Sequence, residues 1–241
     1  MKWLRTVVLF DRGNIVQIPD WDRVHQSCVR AIERIDFPEN SGSLTLRKKA
    51  RVPGSKQWRR NGVGYLKTRF LKGMMADEGW KPEAQFGIEH LTLQPQLHTY
   101  PGMVPYKEPI ASSFGGFDFL TETTSGLHVA IEWETGNISS SHRSVNKLAI
   151  ALAAGKIHAG LLILPSRDTY EQLTDRIGNI NELSPYLTLW NSLASTVKHG
   201  LLAISVVEHD KLTEDETFPY LPSGNDGRAK EGRDKLPPKK S

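Results

Sequence analysis

Residues 128–148 read HVAIEWETGNISSSHRSVNKL, and the fold turns on how this stretch is interpreted. Its first part is an apolar run carrying two carboxylates two residues apart, Glu132 and Glu134. Side chains alternate between the faces of a strand, so both acids point the same way. Like charges a few ångströms apart raise each other's pKa unless a cation lies between them, and a bound divalent metal is the simplest device that keeps both ionised. The strand therefore reads as the edge of a metal site. Thr135, Gly136 and Asn137 then turn the chain. Ser139 or Ser140 is expected to cap a helix whose first turn holds Ser141, His142 and Arg143, a start suited to a phosphate.

A third carboxylate, Asp118, lies upstream in GGFDFL (115–120), a short strand after a glycine turn. Asp118 followed by Glu132-x-Glu134 is the D…(D/E)-x-(D/E/K) arrangement of metal-dependent phosphodiesterases. There carboxylates hold Mg²⁺ and the last position assists the attacking water. The bare spacing is a weak pattern, and the bland alternative is an exposed strand face whose acids are merely solvated.

Working outward, residues 116–121 and 128–134 form an expected antiparallel hairpin around TSG at 124–126. The helix predicted over 139–154 places Val145, Leu148, Ala149 and Leu152 on one side, and its alanine-rich end offers a dimer surface. HAGLLILP (158–165) and 201–207 are near-continuous apolar runs of strand length, the mark of strands covered on both faces. Helices are predicted at 169–177 and 180–190, with 208–241 left as a polar C-terminal segment. Upstream, 7–17 contains an expected strand or extended arm, and a helix opens at Pro19-Asp20 and stops before Pro38. A second helix over 65–77 buries Leu66, Phe70, Leu71, Met74 and Met75 and is ended by Gly79. The predicted fold is α/β, a central mixed β-sheet flanked by helices.

At 241 residues the chain suits one domain. No apolar run approaches the roughly 18 residues of a membrane span, and the opening run is interrupted too soon for a signal peptide. A single cysteine, Cys28, excludes an internal disulfide and fits a reducing cytoplasm. The net charge of +4 is unevenly spread. Between Arg47 and Arg60 there are seven basic residues, no acid and an interleaved Trp58: a phosphate-contacting loop or a solvated basic face. The last nineteen residues, 223–241, are rich in Gly, Pro, Lys and Arg and are expected to be a flexible basic arm that orders only against a partner, a polyanion being the evident one.

The words around the acidic triplet are more specific than its spacing. WETGNISSSHRSVNKL (133–148) resembles the BamHI-like type II restriction endonucleases of the PD-(D/E)xK nuclease superfamily. LTDR (173–176), NINELSPY (179–186) and LPSGNDGRAK (221–230) match in the same order. Weaker similarity reaches back to 61–63, Lys67 and WKPE at 80–83; 84–114 looks like an insertion, and 1–60, read as an N-terminal extension, matches little. On this basis 1–222 is one nuclease domain with a restriction-endonuclease-like core.

The resemblance implies Mg²⁺-dependent hydrolysis of phosphodiester bonds in double-stranded DNA at a palindrome, GGATCC, leaving 5′-phosphate ends. It further implies a homodimer, a cognate DNA methyltransferase and a prokaryotic cytoplasm. Asp118, Glu132 and Glu134 fall at the catalytic, metal-binding positions, and Glu83 at a fourth acidic one that Glu89 or Glu108 could serve instead. Lys67 falls at a lysine suited to a phosphate contact. Asn137, Ser139, Arg143, Asp175 and Arg176 fall at base-reading positions, with Asp226, Gly227 and Arg228 in the C-terminal arm contact. Most of the superfamily has lysine where this chain has Glu134, leaving that residue as general base or metal ligand. Arg228 replaces a methionine of the arm contact, and Ala153-Ala154 replace a Lys-His pair. The competing readings are a structure-selective or repair nuclease with the same acidic core, and a catalytically silent DNA-binding protein. Read without the resemblance, Asp175-Arg176 is a helix-end ion pair; His142 is either a phosphate contact or a packed helix residue.

Overall fold

The structure is a computed structural model that describes residues 1–76, 78, 80, 82–84, 98, 101–105, 116–174 and 177–222. The chain opens as strand β1 (Lys2–Arg12) and helix α1 (Pro19–Glu33). Pro19 sits in the first turn, where its missing N–H costs nothing, and Asp20 and Asp22 there suit the positive end of the helix. Short strands β2 (Thr45–Arg47), β3 (Ala50–Arg51) and β4 (Trp58–Arg59) follow, then helix α2 (Gly64–Ala76) and strand β5 (Pro82–Ala84). Next come β6 (Phe117–Glu122), β7 (His128–Trp133), α3 (Ile138–Ala153) and β8 (Ala159–Pro165). The chain continues through α4 (Arg167–Tyr170), α5 (Ile180–Leu183), α6 (Leu187–Ser192), β9 (Gly200–Glu208) and β10 (Lys211–Thr213).

One six-stranded sheet, ordered β1-β9-β8-β7-β6-β5, organises these elements. Strands β7, β8 and β9 are parallel, while β1, β6 and β5 join antiparallel, so the sheet is mixed as the sequence predicts. Alternate residues feed two cores. Ile131, Leu161, Ile163 and Ala203 pack with Val24, Ile32, Phe70 and Met74 of α1 and α2. Ala130, Leu162, Leu164 and Ile204 pack with Val145, Leu148 and Leu152 of α3 and Trp190 of α6. Each fully buried aliphatic side chain here contributes about 1.5–3 kcal/mol, and central strands serving two cores must be apolar at every position. Gly160 permits the close approach of α3, since a Cβ there would lie 3.1 Å from that of Leu148.

Several expectations need correction. Asn137, with extended backbone, caps α3 by accepting from Ser140 N, because Ser139 and Ser140 already lie inside the helix. Met75 is 47% exposed, on the outer side of α2. The helix expected at 169–177 is a single turn. After Tyr170 the backbone tightens and pairs with Asn61, which donates from its N to Gln172 O (2.8 Å) and accepts at its O from Thr174 N (2.8 Å). The helix expected at 180–190 is broken into α5 and α6 by a 3₁₀ turn containing Pro185, whose nitrogen has no proton for the helical ladder.

Residues 208–222 are not a loose arm. Strand β10 pairs with β2, Asp210 holds the N-terminal ammonium at 2.7 Å, and Leu221 is buried. The first residues are likewise built into the body, with β1 hydrogen-bonded along β9. Glu89, Glu108, Gly79 and the arm from 223 onward lie outside the described residues.

Candidate active site

The β6–β7 hairpin carries the acidic residues. Its register pairs Phe119 with Ile131, and one step further sets Asp118 opposite Glu132. On the other side, β5 pairs Pro82 with Phe119 and Ala84 with Phe117, so Glu83 falls at the register position opposite Asp118. Three acidic positions thus lie in a row across three strands. Asp118 is fastened at both oxygens: Oδ2 accepts from Trp133 N (2.8 Å), and Oδ1 pairs with Lys67 Nζ (2.8 Å). Lys67, expected to meet a phosphate, is here an ion-pair partner of Asp118.

Because Ile131 and Trp133 point to the core under α1 and α2, Glu132 faces α3. It is only 7% exposed and forms an ion pair with Lys147, which is 8% exposed. Burial pushes the Glu132 carboxyl up to about 7, against the opposing pull of Lys147; the nearby charge of Asp118 pushes the same way as burial. Glu134 follows the end of β7, and its N still donates to Ile163 O at 3.0 Å. It is 5% exposed, and burial raises its pKa while the Gly136 N–H, bound to Oε1 at 2.5 Å, works in the opposite direction. Glu134 Oε2 and Ser141 Oγ are both buried without a well-directed hydrogen bond, although the hydroxyl lies near enough to favour the ionised carboxylate. Buried oxygens left in this state call for a partner.

Helix α3 leaves directly from this edge. Asn137, Ser139 and Arg143 are exposed on its first turns, whereas His142 packs edge-on against Tyr186 (4.3 Å between centroids) and beside Trp190. Asn137 also bridges to Ile177, and Leu173 bridges to Asn61. Asp175 and Arg176 lie outside the described residues, but both flanks of that pair are fixed, one to the candidate base-reading segment and one to Asn61. Asp226, Gly227 and Arg228 also lie outside them.

Sequence reasoning missed Lys147. Two residues from Val145 and from Ala149, it stands well round the helix from the apolar face, so the sequence carries no signal for it; its long stem buries itself and delivers the charge to Glu132. Among the described residues, no three carboxylate, imidazole or thiolate groups are gathered closely enough to hold a metal. The ammonium groups of Lys67 and Lys147 hold Asp118 and Glu132 instead.

A site of buried strand-end carboxylates leading into an exposed polar helix start invites comparison with known proteins. The family model described as restriction endonuclease BamHI matches residues 1–228. The chain belongs to this family. The match begins at residue 1 and so takes in the first sixty residues, which the sequence blocks alone did not reach. The type II restriction enzyme OkrAI of Oceanobacter kriegii is 34% identical over 229 residues, covering 95% of this chain and 99% of the relative. The type II restriction enzyme BamHI of Bacillus amyloliquefaciens is 35% identical over 109 residues, 45% of this chain and 47% of the relative. Among solved structures, restriction endonuclease BglII complexed with a DNA 16-mer aligns with a TM-score of 0.53 at 8% identity. That alignment covers 86% of this chain and 78% of the other, and supports a restriction-endonuclease-like fold. The protein is a type II site-specific deoxyribonuclease. Among the described residues, no helix is long and apolar enough to cross a membrane.

Proposed function

We propose that this enzyme hydrolyses double-stranded DNA at the palindrome GGATCC in a Mg²⁺-dependent reaction, leaving 5′-phosphate ends, and that it acts as a homodimer. The observation that carries the reading is the continuity of one strand–turn–helix unit. Buried Glu132 and Glu134 present carboxylate oxygens without a well-directed hydrogen bond, and within a few residues the same unit exposes Asn137, Ser139 and Arg143. The residues fit a hard divalent cation in kind, since carboxylate oxygens are its preferred ligands. Asp118 and Glu132 would hold it, with Glu83 at the adjoining strand position. A bound Mg²⁺ supplies Lewis-acid neutralisation of charge at phosphorus and a more acidic water. Glu134, its pKa raised by burial, is suited to accept the proton of the attacking water as general base, or to bind that water's metal. Lys67 is part exposed and, once free of Asp118, can meet a phosphate oxygen.

Base recognition falls to Asn137, Ser139, Arg143, Asp175 and Arg176, whose side chains match the donor and acceptor pattern of the major groove. Asn137 spends its carbonyl oxygen on the helix cap, so its amide is left as a donor only. A palindrome calls for a two-fold dimer, with the exposed basic stretch around Trp58 and the arm through Asp226, Gly227 and Arg228 adding phosphate and groove contacts. In the host, a methyltransferase of the same specificity would protect the genome. Digestion of DNA of known sequence, with and without Mg²⁺ and with both cut ends mapped, tests the reading. Cuts confined to GGATCC support it. Cuts set by DNA shape rather than by sequence would favour a structure-selective nuclease.

A further inference from the structure

Lys147 has no part in the hydrolysis just described, yet it is the most deeply placed cation of the site. Its ammonium ion-pairs with Glu132, donates to Gly116 O at 3.0 Å and lies 4.8 Å from the centre of the Phe117 ring. Gly116 immediately precedes β6 and Glu132 lies in β7, so one helical side chain ties together the two strands that carry Asp118 and Glu132. Removing an ion pair from water is costly, and two apolar residues of similar volume in its place usually serve stability as well or better. The charge therefore answers to something other than packing. Glu132 Oε1 is buried and receives no well-directed hydrogen bond, and among the described residues the Lys147 ammonium is the cation that pairs with it directly, Lys67 acting on it from farther off.

We propose that Lys147 is a placeholder cation: it keeps Glu132 seated and charge-balanced in the metal-free enzyme and yields that carboxylate to the incoming divalent ion. The Gly116 carbonyl and the Phe117 ring face then remain as its resting place. The inference rests on the reading of Glu132 as a metal ligand. Lys67 differs in being 30% exposed at its side chain, which lets it move without a prepared seat.

The test uses melting temperatures of the full chain without DNA, in EDTA and in saturating Ca²⁺, a divalent probe that takes carboxylate ligands. Lys147→Met keeps the stem and deletes the charge. In EDTA it should melt roughly 5–15 °C below wild type, because a buried carboxylate is left unpaired. Ca²⁺ should restore most of that loss, so its shift is larger in the variant than in wild type. The double variant Lys147→Met/Glu132→Gln should melt within a few degrees of wild type in EDTA and show no Ca²⁺ shift. The double variant also decides the matter if Lys147→Met alone fails to fold. A loss that neither Ca²⁺ nor Glu132→Gln restores makes Lys147 a packing residue and overturns the proposal, as does no loss at all. If Glu132→Gln restores stability but Ca²⁺ shifts neither wild type nor Lys147→Met, the metal reading of Glu132 has failed and the placeholder with it.

Discussion

The three parallel strands have chemically opposite ends. Where β7 finishes, buried Glu132 and part-buried Asp118 of the adjoining β6 are matched by lysines brought from α3 and α2. Where the same strands begin, histidines gather instead: His128 opens β7, His158 precedes β8 and His199 precedes β9. Ring centres are 5.4 Å apart for His128 and His158, and 6.0 Å apart for His158 and His199. At the first end, opposite charges are desolvated together, an arrangement that survives only with good geometry or a function. At the second, groups that share one sign when protonated are left half in water, where their repulsion is screened. Between them lies an apolar stretch with nothing to titrate. The difference teaches that chemistry concentrates where the sheet breaks the rule of burying only satisfied groups.

The most forceful way to break this comparison is Glu132→Ala. If the carboxylate end is catalytic, cleavage of cognate DNA should fall by roughly 10³-fold or more, the scale of deleting a central catalytic group, while DNA binding persists. Cleavage and gel-shift assays on one preparation check it, and retention of a large fraction of activity would return Glu132 to the scaffold. The middle of the strands should behave in the opposite way. Ile204→Ala, at a fully buried position in β9, is expected to cost about 2–5 kcal/mol and lower the melting temperature by roughly 5–20 °C. Its site preference should be unchanged, as thermal denaturation and a digest below the melting temperature would show.

Much of this contrast was legible in the sequence. The runs at 158–165 and 201–207 read as buried strands, and Glu132-x-Glu134 announced a face where acids share a strand. The helix at 139–154 was equally clear from Val145, Leu148, Ala149 and Leu152. What was hidden depended on partners distant in sequence. Lys147 looks like a solvated helix lysine until β6 and β7 are placed beneath it. The stretch after Tyr170 has helical spacing but trades its helix for backbone bonds to Asn61, more than a hundred residues away. Asn137 reads as a turn residue or base contact; only the position of the helix start reveals it as the cap.

A finer test separates reading of the sequence from mere attraction to DNA. Arg143 is exposed on α3 with Ser139, one helical turn before, beside it. Arg143→Ala should cost about 1–3 kcal/mol of discrimination at a guanine, seen as a reduced ratio of affinities for GGATCC and its single-base variants. Equal weakening on every sequence would instead make Arg143 a phosphate contact and leave base reading to the other candidates.

The smallest effect belongs to the histidine end. Burial holds the His158 pKa below its ordinary value, and the neighbouring His128 and His199 push the same way. His158 Nδ1 also accepts from His128 N at 3.0 Å, a bond available only to the unprotonated nitrogen. The unfolded chain therefore takes up this proton more readily than the folded one, and stability is lost as the pH falls through about 6.5, the ordinary histidine value. Glu132 works in the other direction in the metal-free protein: its carboxyl, raised to about 7, favours the folded state at low pH and loses that contribution as the pH rises. The two ends thus oppose each other across the mildly acidic range. In His158→Gln, whose amide oxygen can still accept from His128 N, the drop in melting temperature from pH 8 to pH 5 should be smaller than in wild type. The change should be confined to the acid side. If the two profiles run parallel at every pH, the histidine end carries no titration cost, and the acid sensitivity of the fold must come from elsewhere, with part-buried His25 and buried His209, whose pKa values burial also lowers, the next residues to replace.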